Sequence, residues 1–212
     1  MVLNPVIKEA NVDYYSGSVK CWKGSMYIDN IIETLYVLPD SSKAALKNRI
    51  REIAHPKGHI LLNADCVEKS IYFIKTGVVR AYAEIGGEEI TFWFGMEGDP
   101  VLSMRSYING EKSYESIELL EDCELYELNI VQLRLLYKED IHLANWGRKL
   151  AELELIRTEE RLIGMQFKTA QERYADLIRN QPKLLLRVQL GYIASYLGMS
   201  QVSLSRIRAN MR

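Results

Sequence analysis

The chain has 212 residues, 48% hydrophobic and 26% charged, the make-up of a globular protein of one large or two modest domains. No apolar run approaches the ~20 residues of a membrane span, and the acid-bearing start MVLNPVIKEANVDYY is not a signal peptide. Cys21, Cys66 and Cys123 lie far apart without ligand spacing, which points to reduced thiols in a cytoplasmic setting and to no metal centre.

The net charge of −1 hides an asymmetry: residues 1–156 hold 17 Lys+Arg against 24 Asp+Glu, and residues 157–212 hold 10 against 4. A basic tail on an acidic front suggests an anionic partner for the tail. Charge alone fits nucleic acid, an acidic protein or a membrane surface.

Residues 1–27 mix Gly, Ser and Tyr without a period and read as an irregular arm. MYIDNIIETLYVLPD is expected to form a short helix stopped by Pro39. SSKAALKNRIREIA follows with serine caps and Ala44, Leu46, Ile50 and Ile53 at helical spacing, so a second helix is expected there. From residue 56 turn signals recur, most of them ten to twelve residues apart, from Pro56-Lys57-Gly58 to Glu121-Asp122. Between them lie HILL, SIYFI, VVRAYAEI, EEITFWF, YESIELL and CELYEL. Short β-prone runs at that spacing argue for an all-β sandwich, roll or barrel. Alternation within VVRAYAEI is imperfect, so strand faces cannot be assigned from it.

Helix returns with NIVQLRLLYKED and then a long segment carrying Leu143, Trp146, Leu150 and Leu153 at alternating three- and four-residue steps. That is a coiled-coil-like seam, and the expectation is a helix that pairs two copies of the chain. A further helix begins near Thr169 and breaks at Asn180-Gln181-Pro182. The units expected are therefore an arm over 1–27, a β-domain over 28–130, a helical linker and dimer helix over 131–165, and a C-terminal helical unit over 166–212.

The last unit contains LGYIASYLGMSQVSLSRIR, which fits a helix-turn-helix counted from Leu190. Ala194 is small where a second helix crosses closely, and Gly198 permits the positive φ of a tight turn. Ile193, Leu197, Leu204 and Ile207 form the buried faces, and Ser200 is an N-cap. Gln201, Val202, Ser203, Ser205, Arg206 and Arg208 then point outward. Glutamine reads adenine, arginine reads guanine with two hydrogen bonds, and serine hydroxyls suit phosphates or base edges. No acid follows Asp176, as a surface meeting phosphates requires.

Here the chain resembles the cyclic AMP receptor/Fnr superfamily of bacterial transcription regulators. The resemblance spans roughly residues 30–212 and rests on Gly58, Gly77 and Gly98, the long helix, AQERYADLIR and IASYLGMSQVSLSRIR. It implies an α+β chain: an N-terminal cyclic-nucleotide-binding-like β-roll (jelly roll), a long dimerisation helix and a C-terminal winged-helix-like unit whose wing is short or absent. The partners implied are double-stranded DNA, a second copy of the chain and RNA polymerase. The family's recognition arginine matches Arg206, and Gln201 takes the commonly basic or polar place after the turn serine. Val202 replaces a common acid that reads cytosine, which changes the family's usual half-site; valine offers apolar contact, for instance to a thymine methyl.

In cyclic-nucleotide-binding members a Gly-Glu pair holds the ribose and an Arg, about ten residues on, holds the phosphate. Alignment puts Leu102-Ser103 and Ser113 at those places, so no cyclic AMP binding is expected. The residues nearest an effector pocket are Ser103, Arg105, Ser113 and Tyr114, for an unknown small molecule or none, and no cofactor is expected. HPKGH is broken by Pro56 and Gly58, so His55 and His59 make no helical metal pair. No nucleophile triad or P-loop occurs, and the expectation is a non-enzyme. The alternative to a DNA-binding regulator is a ligand-sensing or protein-interaction module built on the same roll.

Overall fold

A computed structural model describes residues 26–211. The expected arm over 1–27, with Cys21, falls almost wholly outside the described residues. Two helices come first, α1 (Ile28–Leu35) and α2 (Asp40–Lys47). The residue before a proline is driven out of the helical region, and the chain runs extended from Tyr36 to Pro39, with Leu38 buried.

The second helix is shorter than the sequence period suggests. It ends at Lys47, and Ile50–His55 is strand β1. Three residues apart on a strand means opposite faces, and Ile50 and Ile53 pack into different hydrophobic clusters. Pairing decides the outcome: β1 runs antiparallel to β8 (Cys123–Asn129), in register from Ile50↔Leu128 to His55↔Cys123.

The six β-prone runs become β2 (Ile60–Leu62), β3 (Ser70–Thr76), β4 (Val79–Ile85), β5 (Glu88–Gly95), β7 (Ser116–Leu119) and β8; β6 (Pro100–Val101) is added between them. A short helix, α3 (Met104–Asn109), follows β6. The strands form two four-stranded antiparallel sheets, ordered β1-β8-β3-β6 and β2-β7-β4-β5. Leu62, Ile74, Val79, Ile117, Leu119 and Leu125 are buried together in the cluster these sheets share. This is the expected roll of an α+β chain.

The remaining helices are α4 (Ile130–Glu139), α5 (Ile141–Phe167), α6 (Ala170–Asn180), α7 (Leu184–Arg187), α8 (Leu190–Tyr196) and α9 (Gln201–Asn210). Side chains close the N-termini of α4, α5, α6 and α9. Asn129 Oδ1 accepts from the Val131 and Gln132 N–H groups, Asp140 accepts from His142, and Thr169 with Glu172 forms a capping box. Among the described residues no helix is long and apolar enough to cross a membrane.

The seam expected on the long helix is corrected by the structure. Leu143, Trp146 and Leu150 are buried inside their own chain, in a cluster with Ile31, Ile32, Leu46, Phe73 and Leu128. Trp146 also donates its indole N–H to the Ile32 carbonyl at 3.2 Å. Leu153 is half-buried. An apolar stripe records that a helix packs, not on which chain, and here the first sheet and α1 supply the surface. The large apolar side chains that α5 leaves exposed are a different set, Ile141 at its start and Leu155, Ile156, Leu162, Ile163, Met165 and Phe167 in its C-terminal half.

Candidate nucleic-acid interface

Helices α8 and α9 build the helix-turn-helix as the sequence lattice requires. Ile193, Ala194, Leu197 and Leu204 are buried, and Ile207 packs against them half-buried. Gly198 has φ +64°, and a Cβ placed there would come within 2.7 Å of Met165 Cε on α5. Glycine is thus favoured by backbone conformation and by the close approach of the long helix. Ser200 Oγ accepts from the Ser203 N–H at 3.2 Å and lies 2.9 Å from Ser203 Oγ, so these serines begin α9 by capping it. Gln201, Val202, Ser205, Arg206 and Arg208 stand exposed. Gln201, Val202, Ser205, Arg206 and Ala209 line one shallow depression on that face.

Much of the basic tail is engaged within the chain. Arg157 pairs with Asp99 and Glu154, Lys168 and Arg179 with Asp176, and Arg187 with Glu97 and Glu121. Arg161 and Arg173 donate to the carbonyls of Tyr196 and Leu197, tying α5 and α6 to the turn region. Glu97, Asp99 and Glu121 belong to the acidic front, so part of the asymmetry is one half of the chain answering the other. Among the described residues Arg206 and Arg208 hold no ion pair or hydrogen bond. The tail's free positive charge therefore includes these two exposed arginines of α9.

The helix-turn-helix unit is fastened to the outer face of the second sheet. Val78, Phe94 and Leu120 share a buried cluster with Tyr174, Leu177, Leu184, Val188 and Ile193. Arg80, buried in β4, has its guanidinium carbon 3.8 Å from the Tyr192 ring centre and 4.2 Å from that of Tyr82. Burial works against its charge, but Glu89 and Glu118 outweigh it and raise the guanidinium pKa further. Ser195 Oγ accepts from the Thr91 N–H at 2.9 Å, covering a donor of the edge strand β5. Arg187 forks onto two carboxylates, at 2.8 and 3.0 Å to Glu97 and 2.6 and 2.9 Å to Glu121. Burial pushes the Glu97 carboxyl up; Arg187 and the N–H groups of Glu97 itself and Gly77 together hold it below the usual carboxylate range.

Residues 52–140 match the family model of the cyclic nucleotide-binding domain. FixK2 from Bradyrhizobium japonicum superposes with a TM-score of 0.69, at 21% identity over 76% of this chain and 84% of that one. The c-di-GMP-responsive global regulator CLP from Xanthomonas campestris gives 0.64, at 16% identity over 82% and 91%. A protein assigned to the crp/fnr family of transcriptional regulators, from Eubacterium rectale, gives 0.64 at 18% identity over 80% and 82%. The chain has the Crp/Fnr fold. No curated protein matches its sequence.

Within the Crp/Fnr fold the expected effector residues fall into two separate pairs. Ser103 is the buried N-cap of α3, and Arg105, on the same helix, is exposed and pairs with Glu111 at 3.0 Å. Ser113 is buried and donates its hydroxyl to the Asn63 carbonyl at 2.8 Å, while exposed Tyr114 packs its ring toward Phe92. No hydrogen bond joins the two pairs. His55 and His59 stack, with ring centres 4.0 Å apart. What sequence reasoning missed is the docking set of Arg80, Arg187, Glu97 and Glu121. Its one legible trace was a lone arginine inside the β-run VVRAYAEI.

Proposed function

We propose that the chain is a homodimeric, non-enzymatic, cytoplasmic transcription regulator that binds double-stranded DNA through α9. One observation carries the reading: a capped, fully packed helix-turn-helix presents an acid-free outer face with uncommitted Arg206 and Arg208. Arg206 serves as the guanine reader; Gln201, Val202 and Ser205 meet neighbouring base edges, and Ser200, Ser203 and Arg208 lie near the phosphates. Two copies pair through the C-terminal half of α5, whose Leu155, Ile156, Leu162 and Ile163 recur at a seven-residue interval and stand exposed.

The roll lacks the charged determinants of cyclic AMP recognition. Ser103 and Ser113 are serines at those places, and both are engaged in the chain's own backbone. Any effector therefore acts through contacts other than an arginine–phosphate pair, by shifting the arrangement of the docked DNA-binding units. Selection of bound duplexes from a random pool, followed over a salt series, tests the reading. A palindromic motif should emerge, with affinity falling linearly on a log–log salt plot. Failure to enrich any sequence even at low salt removes it.

A further inference from the structure

We infer that Val202 holds the 5-methyl group of a thymine in the major groove, within about two base pairs of the one read by Arg206. The inference rests on the DNA-binding reading and adds to it which base the unusual position selects. Val202 is 61% exposed in the first turn of α9 and belongs to no hydrophobic cluster of the described residues, so the fold makes no use of it. That turn is fixed by the Ser200 cap, and a β-branched side chain in a helix is nearly confined to one rotamer. Little freedom is lost when it meets a partner.

The surroundings define the partner's chemistry. Val202 lies in one depression with Ser205, Arg206 and Ala209, and α9 carries no acid. An apolar group can neither accept from cytosine nor bond to purine nitrogens. The one apolar feature that base edges present in the major groove is the thymine methyl. Arg206 follows Val202 by four residues on the same face, ~6 Å along the helix, and base pairs are ~3.4 Å apart. The thymine therefore falls within about two base pairs of the guanine that Arg206 takes, and once in each half of a palindrome.

The experiment uses the full chain and the duplex enriched from the random pool. Each thymine is replaced in turn by deoxyuridine, which removes one methyl and leaves pairing intact. One position per half-site should weaken binding about fourfold, and both together about fifteenfold. Val202→Ala, a change at an exposed side chain, should lose most of that sensitivity. Val202→Glu should move the preference at that position from thymine to cytosine. Deoxyuridine without effect at every position, or the parent's preferred sequence retained by Val202→Glu, overturns the inference and leaves the DNA-binding reading standing. Absence of any enriched duplex overturns that reading instead.

Discussion

Arg187→Ala probes how firmly the DNA-binding unit is held. In the native chain the guanidinium satisfies two carboxylates of the roll through four contacts between 2.6 and 3.0 Å. The arginine side chain is 24% exposed, and Glu97 and Glu121 are 22% and 33% exposed. A fully exposed pair contributes about 0.2–1 kcal/mol, whereas removing one partner of a fully buried pair costs about 3–5 kcal/mol. This site lies between them, and about 2–3 kcal/mol is expected because two carboxylates lose their shared counter-charge. Native-state proteolysis of residues 166–183 reads that opening directly. Cleavage should accelerate roughly 30- to 150-fold when opening is fast. The pH dependence has a definite sign. With Glu97 held below the usual carboxylate range, its stabilisation is complete above the ordinary carboxylate pKa and is lost as pH falls through the lower native value. In the variant burial dominates and raises the carboxyl, so the variant's deficit is largest near neutrality and shrinks in acid. Neutralising all three side chains at once, by combining Arg187→Met, Glu97→Gln and Glu121→Gln, should restore most of the resistance. Cleavage of Arg187→Ala at the parent's rate refutes the reasoning, as does a triple variant as fragile as the single one.

Leu155→Glu, at a residue 69% exposed, should leave the melting temperature nearly unchanged but weaken self-association in sedimentation and DNA affinity with it. Trp146→Ala should instead cost about 3–5 kcal/mol in urea unfolding, because it empties a buried site and removes the indole's hydrogen bond to the Ile32 carbonyl. Gly198→Ala should destabilise by about 1–2 kcal/mol, combining a left-handed φ with a contact on Met165 that only side-chain movement relieves. Iodoacetamide at pH 8 should label exposed Cys66 and spare Cys123, whose thiol burial pushes up to about 11, as peptide mass spectrometry will read.

The β-runs and the helix-turn-helix were legible for different reasons. Turn chemistry marks the ends of strands whatever packs on them, so six runs could be located. Their faces could not be assigned because both sheets are covered on both sides. Ile71 and Phe73 point to the helices while Ile74 joins the cluster between the sheets. On β4, Val79 and Ala81 face that cluster while Arg80, and Val78 just before the strand, meet the C-terminal unit. Doubly covered strands lose the apolar–polar alternation from which a face is read. The strand at Ile50–His55 was hidden by the same ambiguity, since apolar residues three apart satisfy a helix period and also two faces of a buried strand.

The helix-turn-helix was readable because its constraints are local: a small residue, a glycine and four apolar positions within one stretch define it before any tertiary contact is known. The basic tail was harder because charge counts carry no addresses. Of the cations that suggested an anionic partner, Arg157 and Arg187 find acids of the roll, and Arg161 and Arg173 find carbonyls of the chain. That reassignment narrows the functional argument. If the whole tail were a phosphate-binding surface, replacing any of these cations would lower affinity and the salt slope together. In this structure changes such as Arg206→Ala or Arg208→Ala should do so directly. Arg206→Ala should cost about 1–3 kcal/mol and relax selection at one base pair. Arg208→Ala should weaken all sequences alike and reduce the salt slope by about one. Arg173→Ala should act through stability, because its guanidinium is spent on the Leu197 and Lys168 carbonyls that shape the turn. A salt slope reduced by Arg173→Ala in a fully folded protein would return that residue to the DNA surface and undo the division drawn between structural and binding cations.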